Sequence, residues 1–101
     1  MQLTTGQVYT FKLNSGEELI AKVTSTPSNS GYITIENPVS VAPGPQGLGL
    51  VPSMFTAEPD AEIQLNTASV SIFALSEDSV KMKYIEATTG IRVPDKKIIM
   101  G

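Results

Sequence analysis

The chain of 101 residues contains no cysteine, no histidine and no tryptophan. These absences exclude disulfide frameworks, thiolate zinc sites, thiol nucleophiles and every catalytic triad that needs histidine. Imidazole is also the usual general base near neutral pH. An enzyme made from this chain would need carboxylates, lysine or tyrosine. We therefore predict a protein that binds and assembles rather than catalyses, with no cofactor and no metal.

Long apolar runs are also missing. No stretch approaches the roughly 20 residues needed to cross a bilayer, and the N-terminal MQLTTGQVYT has neither the basic start nor the apolar stretch of a signal peptide. We predict no membrane segment and a cytoplasmic location. Apolar residues make up 41% of the chain, which is enough for one core in a single domain over 1–101.

Charge is unevenly distributed around a net value of −3. Before Val80 there are two lysines and eight acidic residues, whereas from Val80 onward there are five basic residues and two acidic ones. A net-acidic protein lacks the broad basic surface of a duplex-DNA binder, so duplex DNA is not an expected partner. We interpret the basic end as a solvated helix face, and contact with a polyanion is its alternative.

Apolar and polar residues alternate along much of the chain, which predicts strands joined by short turns. In the first strand Tyr9, Phe11 and Leu13 share a face, and Asn14-Ser15-Gly16 predicts a tight hairpin turn. Further strands are predicted over 18–26, over 32–41 with a bend at Asn37-Pro38, and over 48–55, 62–65 and 68–75. The Pro/Gly-rich stretch 42–47 is predicted to be a loop.

A C-terminal helix is predicted over about 76–89. Ser76 is a candidate cap, and Glu77 and Asp78 suit the positive end of the helix dipole. Gly90 is expected to end the helix, leaving 90–101 as a tail with no clear period. Strands over about 7–75 and one terminal helix indicate a mainly β domain, folded as a small and strongly bent barrel.

The segment VYTFKLNSGEELIAKVTSTPSNSGYITI, from Val8 to Ile35, resembles the first motif of the Sm-like (LSm/Hfq) family. Gly16 occupies the motif's glycine turn, Ala21 stands where the family usually has a second glycine, and Val23 matches an apolar core position. The version LNSGEELIAKV, with an acidic-polar linker and a C-terminal helix, is most similar to small Sm-like proteins of bacteriophage, particularly cyanophage. This resemblance implies a five-stranded open barrel and, for a phage protein, the cytoplasm of a host cell. Another small barrel, such as an OB-type fold, is the alternative.

The sequence departs from the family pattern at the residues that contact RNA. Members that bind RNA usually carry Asp and Asn in the loop before the third strand, whereas here 27–31 reads Pro-Ser-Asn-Ser-Gly. The second motif usually ends in Ile-Arg-Gly, and the corresponding VSIFA has neither the Arg nor the Gly. The family's helix also usually comes first. The remaining RNA-binding candidates are Asn29, which can read a base edge, and Tyr32, which can stack on an unpaired base. Ordinary packing and turn chemistry is the alternative for both.

An open barrel leaves two strand edges with unpaired backbone groups. The resemblance implies that the fourth strand of one copy pairs with the fifth strand of the next, closing a ring of about five to seven copies. We predict a non-catalytic ring with single-stranded RNA as the candidate ligand. A structural or protein-interaction ring of phage origin, without nucleic acid, is the alternative. Candidate interface residues, which would otherwise fill the core of a monomer, are Leu50, Val51, Met54, Phe55, Val70, Ile72 and Phe73.

Three weaker patterns have plain interpretations. Glu58, Asp60 and Glu62 have the spacing of a weak Mg²⁺ or Ca²⁺ site but are better explained as a solvated acidic loop. Glu17 and Glu18 are expected to be surface charge rather than paired catalytic carboxylates. The segment PGPQGLGLVP lacks the Lys-Ser or Lys-Thr of a phosphate-binding loop and is predicted to be a bend in the barrel.

Overall fold

The computed structural model of the protein describes residues 1–27, 30–58 and 61–100, with side chains as far as Thr89. Six strands are followed by one helix, with a short 3₁₀ turn before the last strand. In chain order they are β1 (Val8–Leu13), β2 (Glu18–Ser25), β3 (Tyr32–Gly44), β4 (Gly47–Pro52), β5 (Ile63–Asn66), the 3₁₀ turn (Thr67–Ser69), β6 (Val70–Leu75) and α1 (Asp78–Met100).

The strands form one antiparallel sheet in the order β4-β3-β2-β1-β6. β5 pairs with the first part of β3, where Tyr32 is opposite Asn66, and β4 pairs with the rest of β3, where Val39 is opposite Pro52. The two short strands thus share one side of a single long strand. The predicted mainly β class is confirmed, but the sheet has six strands rather than five and is not closed into a barrel.

The prediction of a loop over 42–47 is wrong. β3 continues to Gly44, which pairs with Gly47, so only Pro45 and Gln46 form the turn. β2 pairs with β3 only as far as Ser40. Pro43 therefore lies where β3 has a single neighbouring strand, and a proline is tolerated there despite its missing N–H.

The bend predicted at Asn37-Pro38 is confirmed. The register between β2 and β3 shifts between Ile20 and Lys22, opposite this dipeptide. Asn37 has a φ of +49°, in the left-handed region that asparagine tolerates better than most residues. This bulge bends β3 so that its two halves meet different strands.

The bounds of α1 differ from the prediction at both ends. The helix begins at Asp78, and Ser76 does not cap it, because the Ser76 N–H donates to the Val8 carbonyl at 3.1 Å and its hydroxyl lies 2.8 Å from that of Thr10. The predicted end at Gly90 is also wrong, since the helix runs to Met100. Glycine disfavours a helix by only about 1 kcal/mol, so it permits a stop without imposing one. Of the predicted tail 90–101, Gly101 lies outside the described residues.

Both faces of the sheet are covered by apolar contacts. One face holds a buried cluster centred on Phe11, Ala21 and Val23, all fully buried. On the other face Val80 and Tyr84 of α1 pack against side chains of β1 to β4, and we call this the helix-bearing face. Its sheet residues are Val8, Ile20, Val39, Val41 and Leu50. Among the described residues, no helix combines the length and apolarity that crossing a bilayer requires.

Candidate functional site

The strands at the two ends of the sheet order, β4 and β6, are candidates for contact with a partner. Within the described residues, β4 pairs only with β3 and β6 pairs only with β1. Their sequences, GLGLVP and VSIFAL, contain no charged residue. Soluble proteins commonly protect such edges with lysines, inward-pointing charges or a covering element. Here α1 covers a face of the sheet rather than its edges. Among the described residues, one side of β4 and one side of β6 have no pairing strand.

The side chains of β4 differ in how much they are exposed. Leu50 is partly buried because it packs with Val39 and the residues beneath α1. Leu48 lies two residues earlier, so it is on the same helix-bearing face, yet it is 70% exposed. Val51 points to the opposite face and is 42% exposed. Both faces of this edge therefore present aliphatic side chains to solvent.

β6 repeats this arrangement at the other end of the sheet. Val70 and Phe73 pack against the cluster around Phe11. Ile72 and Leu75 are 65% and 60% exposed. These two exposed aliphatic side chains give β6 apolar surface that is available to a partner.

The seven predicted interface residues divide into two groups. Leu50, Val70 and Phe73 pack partly within their own chain, as in the alternative that they fill a monomer core. Val51, Met54, Phe55 and Ile72 are exposed. Sequence reasoning missed Leu48 and Leu75, although each lies two residues from a named candidate and strict alternation would have included both.

An apolar cavity of about 250 Å³ lies where β4 ends and α1 passes the sheet. Phe55, 82% exposed, stands at its rim, and Thr88 of α1 contributes to its wall. The remaining lining residues come from the β3 bend, the end of β4, the segment that follows it and β5. They are Asn37, Pro38, Val39, Pro52, Met54, Ala57, Glu58 and Ile63.

Tyr32 lies at the start of β3 and is 45% exposed. It lines an open cavity of about 670 Å³ together with the N-terminal residues 1–4, Thr26 and Thr67. Thr67 ties the two loops of this cavity together, because its N–H and its hydroxyl both donate to the Gly31 carbonyl at 3.0 Å. None of the lining residues that the structure describes has a charged side chain. Asn29, the other RNA-binding candidate, lies outside the described residues.

The structure describes most residues of the three weaker patterns. No group of three or more Asp and Glu side chains in the described part of the chain is arranged to hold a metal ion, although Asp60 lies outside the described residues. The carboxylate of Glu17 accepts a hydrogen bond from the Ser40 hydroxyl, which ties it to β3. The glycine-rich segment forms the β3–β4 hairpin.

A comparison with known protein families gives no matching family model, and a search of curated proteins gives no match.

Proposed function

We propose that this chain is a non-catalytic, Sm-like protein that assembles into a closed homo-oligomeric ring by pairing β4 of one copy with β6 of the next. The observation that carries the proposal is the pair of end strands without a charged residue. The strand order β4-β3-β2-β1-β6, with the last strand returning beside the first, supports it because β4 and β6 are different edges at opposite ends of one sheet, with the short β5 on the same side of β3 as β4.

Two different edges favour a ring over a dimer. A contact between unlike surfaces is heterologous, and it repeats until the rotation closes. Pairing satisfies the backbone N–H and C=O groups of both edges and removes four exposed aliphatic side chains from water, those of Leu48, Val51, Ile72 and Leu75. The resemblance to Sm-like proteins of bacteriophage suggests about five to seven copies, in the cytoplasm of a host cell.

The role of such a ring is that of an interaction platform. Identical weak sites on each copy act together on a partner that spans several of them, so the affinity exceeds that of a single site. This mechanism needs no reaction at any one copy, in keeping with a chain that lacks both histidine and cysteine.

Size-exclusion chromatography with light scattering tests the assembly directly. The chain mass is 10.7 kDa, and we expect one species of about five to seven chain masses that does not change between micromolar and higher concentrations. A species of one chain mass at micromolar concentration would remove the ring and the function that depends on it.

Single-stranded RNA is the second candidate function, as a ligand of the ring. The observation in its favour is the half-exposed Tyr32 ring in an open cavity, because aromatic rings stack on unpaired bases. We expect Tyr32→Ala to weaken RNA binding by about 1–3 kcal/mol, and Tyr32→Phe, which keeps the ring, to retain it. The lack of charged side chains among the described lining residues favours the alternative, a structural or protein-interaction ring. Under that alternative the purified ring carries no excess absorbance at 260 nm.

A further inference from the structure

We infer that the apolar cavity at the end of β4 binds one large apolar side chain of a partner protein, at a place where a lysine or arginine is next to that side chain. The inference names the partner chemistry of the proposed interaction platform, and it rests on that proposed function for its biological role. The cavity lies within one chain, so its ligand can be tested whether or not the ring forms.

The cavity occupies a gap between two short strands. β5 pairs with β3 as far as Ile35, and β4 pairs with β3 from Val39 onward, so neither strand is opposite Asn37 or Pro38. The bulge of β3, where Asn37 has a φ of +49°, lies in this gap. Pro38 and Pro52 both line the cavity, and proline has no backbone N–H. The two prolines therefore present no backbone donor to a ligand.

The segment 53–57, which forms much of the remaining wall, is held at both ends. The Ser53 N–H donates to the Pro38 carbonyl at 3.0 Å, which ties the start of the segment to β3. Just beyond its end, the Ala61 N–H donates to the Glu58 carbonyl at 3.1 Å, which closes a turn before β5. A wall that is already ordered loses less conformational entropy when a ligand binds.

The size of the cavity suits a single side chain. A cavity of about 150 Å³ is large enough for benzene, so the 250 Å³ found here admits one aromatic or large aliphatic group. Apolar surface continues outside the cavity, because Met54 is 51% exposed and Phe55 is 82% exposed. A ligand that covers this rim as well must extend beyond the cavity. A peptide segment does so, whereas a small molecule of the size of the cavity does not.

The charge around the cavity selects a basic segment. Among the described lining residues, Glu58 is the only one with a charged side chain, and it is exposed. The chain before Val80 has two lysines and eight acidic residues, so its field attracts positively charged segments. A lysine or arginine beside the apolar anchor would meet the Glu58 carboxylate, and the exposed Phe55 ring is a second group that attracts a cation.

The absence of tryptophan from the chain provides a direct assay. The peptide acetyl-Gly-Lys-Trp-Lys-Gly-amide has one tryptophan, whose fluorescence can be excited without exciting tyrosine. We expect its emission to shift to shorter wavelength and to saturate at one peptide per chain, because the indole leaves water. The matched peptide acetyl-Gly-Glu-Trp-Glu-Gly-amide should bind at least about tenfold more weakly, since its carboxylates are repelled by Glu58.

Two variants, each with a matched control, locate the site. Phe55→Ala should weaken binding of the lysine peptide by about tenfold or more, because aromatic residues dominate contacts of this kind. Met82→Ala removes a side chain of α1 that is 63% exposed and outside the cavity, and it should leave binding unchanged. Glu58→Gln should weaken binding by about two- to fivefold, as expected for an exposed ion pair. Glu77→Gln, an equal change of charge at an exposed residue away from the cavity, should have no effect.

Light scattering on the same samples separates this inference from the ring. A protein of one chain mass that binds the lysine peptide as expected overturns the ring and supports the peptide site. A ring that does not bind the peptide, or whose binding is unchanged by Phe55→Ala, overturns the peptide site and leaves the ring standing. Equal binding of the two peptides overturns the selection of a basic segment.

Two further outcomes identify a different occupant of the cavity. Tryptamine is a free cation with the same indole, and binding as tight as that of the lysine peptide would mean that a small organic cation fills the cavity. Dissociation of the ring by the lysine peptide would mean that a second copy of the chain occupies the cavity. Either result overturns the inference of a partner protein.

Discussion

The hydroxyl of Tyr84 in α1 donates a hydrogen bond of 2.8 Å to the carbonyl oxygen of Glu36 in β3. The same hydroxyl accepts a bond of 3.1 Å from the N–H of Lys22 in β2. It therefore bridges the two strands beside the bulge at Asn37, where their register shifts. Tyr84 is 3% exposed, so this bridge lies inside the molecule and fixes α1 to the sheet.

Removal of this hydroxyl should destabilise the fold. Tyr84→Phe keeps the packing of the ring but leaves the Glu36 carbonyl and the Lys22 N–H without their partner. An unsatisfied buried polar group costs about 1–3 kcal/mol, and we expect a loss of that size in the free energy of unfolding measured with urea. Tyr32→Phe is the matched control, because Tyr32 is half exposed, and it should change stability by less than about 0.5 kcal/mol. Equal losses in the two variants would contradict the role of the bridge.

The same tyrosine should make the fold sensitive to alkaline pH. Burial raises the pKa of Tyr84 from 10.0 to about 12; the Glu36 carboxylate adds to the rise, while the Lys22 N–H opposes it. The folded chain thus holds this proton more tightly than the unfolded chain does. Its contribution to stability is complete below pH 10 and is lost as the pH rises from 10 towards 12. Urea unfolding over this range should show a decline that is absent in Tyr84→Phe, and parallel declines would exclude Tyr84 as its source.

Asn37 should tolerate glycine better than alanine. Its φ of +49° disfavours residues with a Cβ, and alanine lacks the short polar side chain that eases this conformation for asparagine. We expect Asn37→Ala to lose about 1–2 kcal/mol of unfolding free energy, and Asn37→Gly to lose less because glycine adopts positive φ freely. Urea titration of the two variants gives the comparison, and an alanine variant as stable as the glycine variant would argue against strain at the bulge.

The sequence predicts the first part of the sheet well, for a physical reason. β1 and β2 each have one set of alternate residues in the core, with Phe11, Ala21 and Val23 fully buried, so burial enforces a period of two along these strands. The bend at Asn37-Pro38 was also predictable, because few residues other than asparagine and glycine accept the backbone conformation that a bulge requires.

Other features depend on tertiary context that a single sequence does not carry. Gly90 has the chemistry of a helix end, yet α1 continues to Met100. The stretch around Pro43 resembles a loop because its strand character comes from pairing with β4 alone. The exposure of Leu48 and Ile72 follows from the position at which α1 crosses the sheet. The partners of the Tyr84 hydroxyl follow from a register that forms only on folding.

The proposed ring should be insensitive to salt. Neither β4 nor β6 carries a charged residue, so the joint between copies would depend on backbone hydrogen bonds and aliphatic contacts. At 1 M salt the Debye length is roughly 3 Å, so interactions between exposed charges farther apart than this are largely screened. Salt does not weaken the burial of apolar surface. We expect light scattering to give the same mass in 50 mM and in 1 M sodium chloride. Dissociation at 1 M would show that charged groups outside these strands hold the copies together, and would contradict a joint made by the two edges.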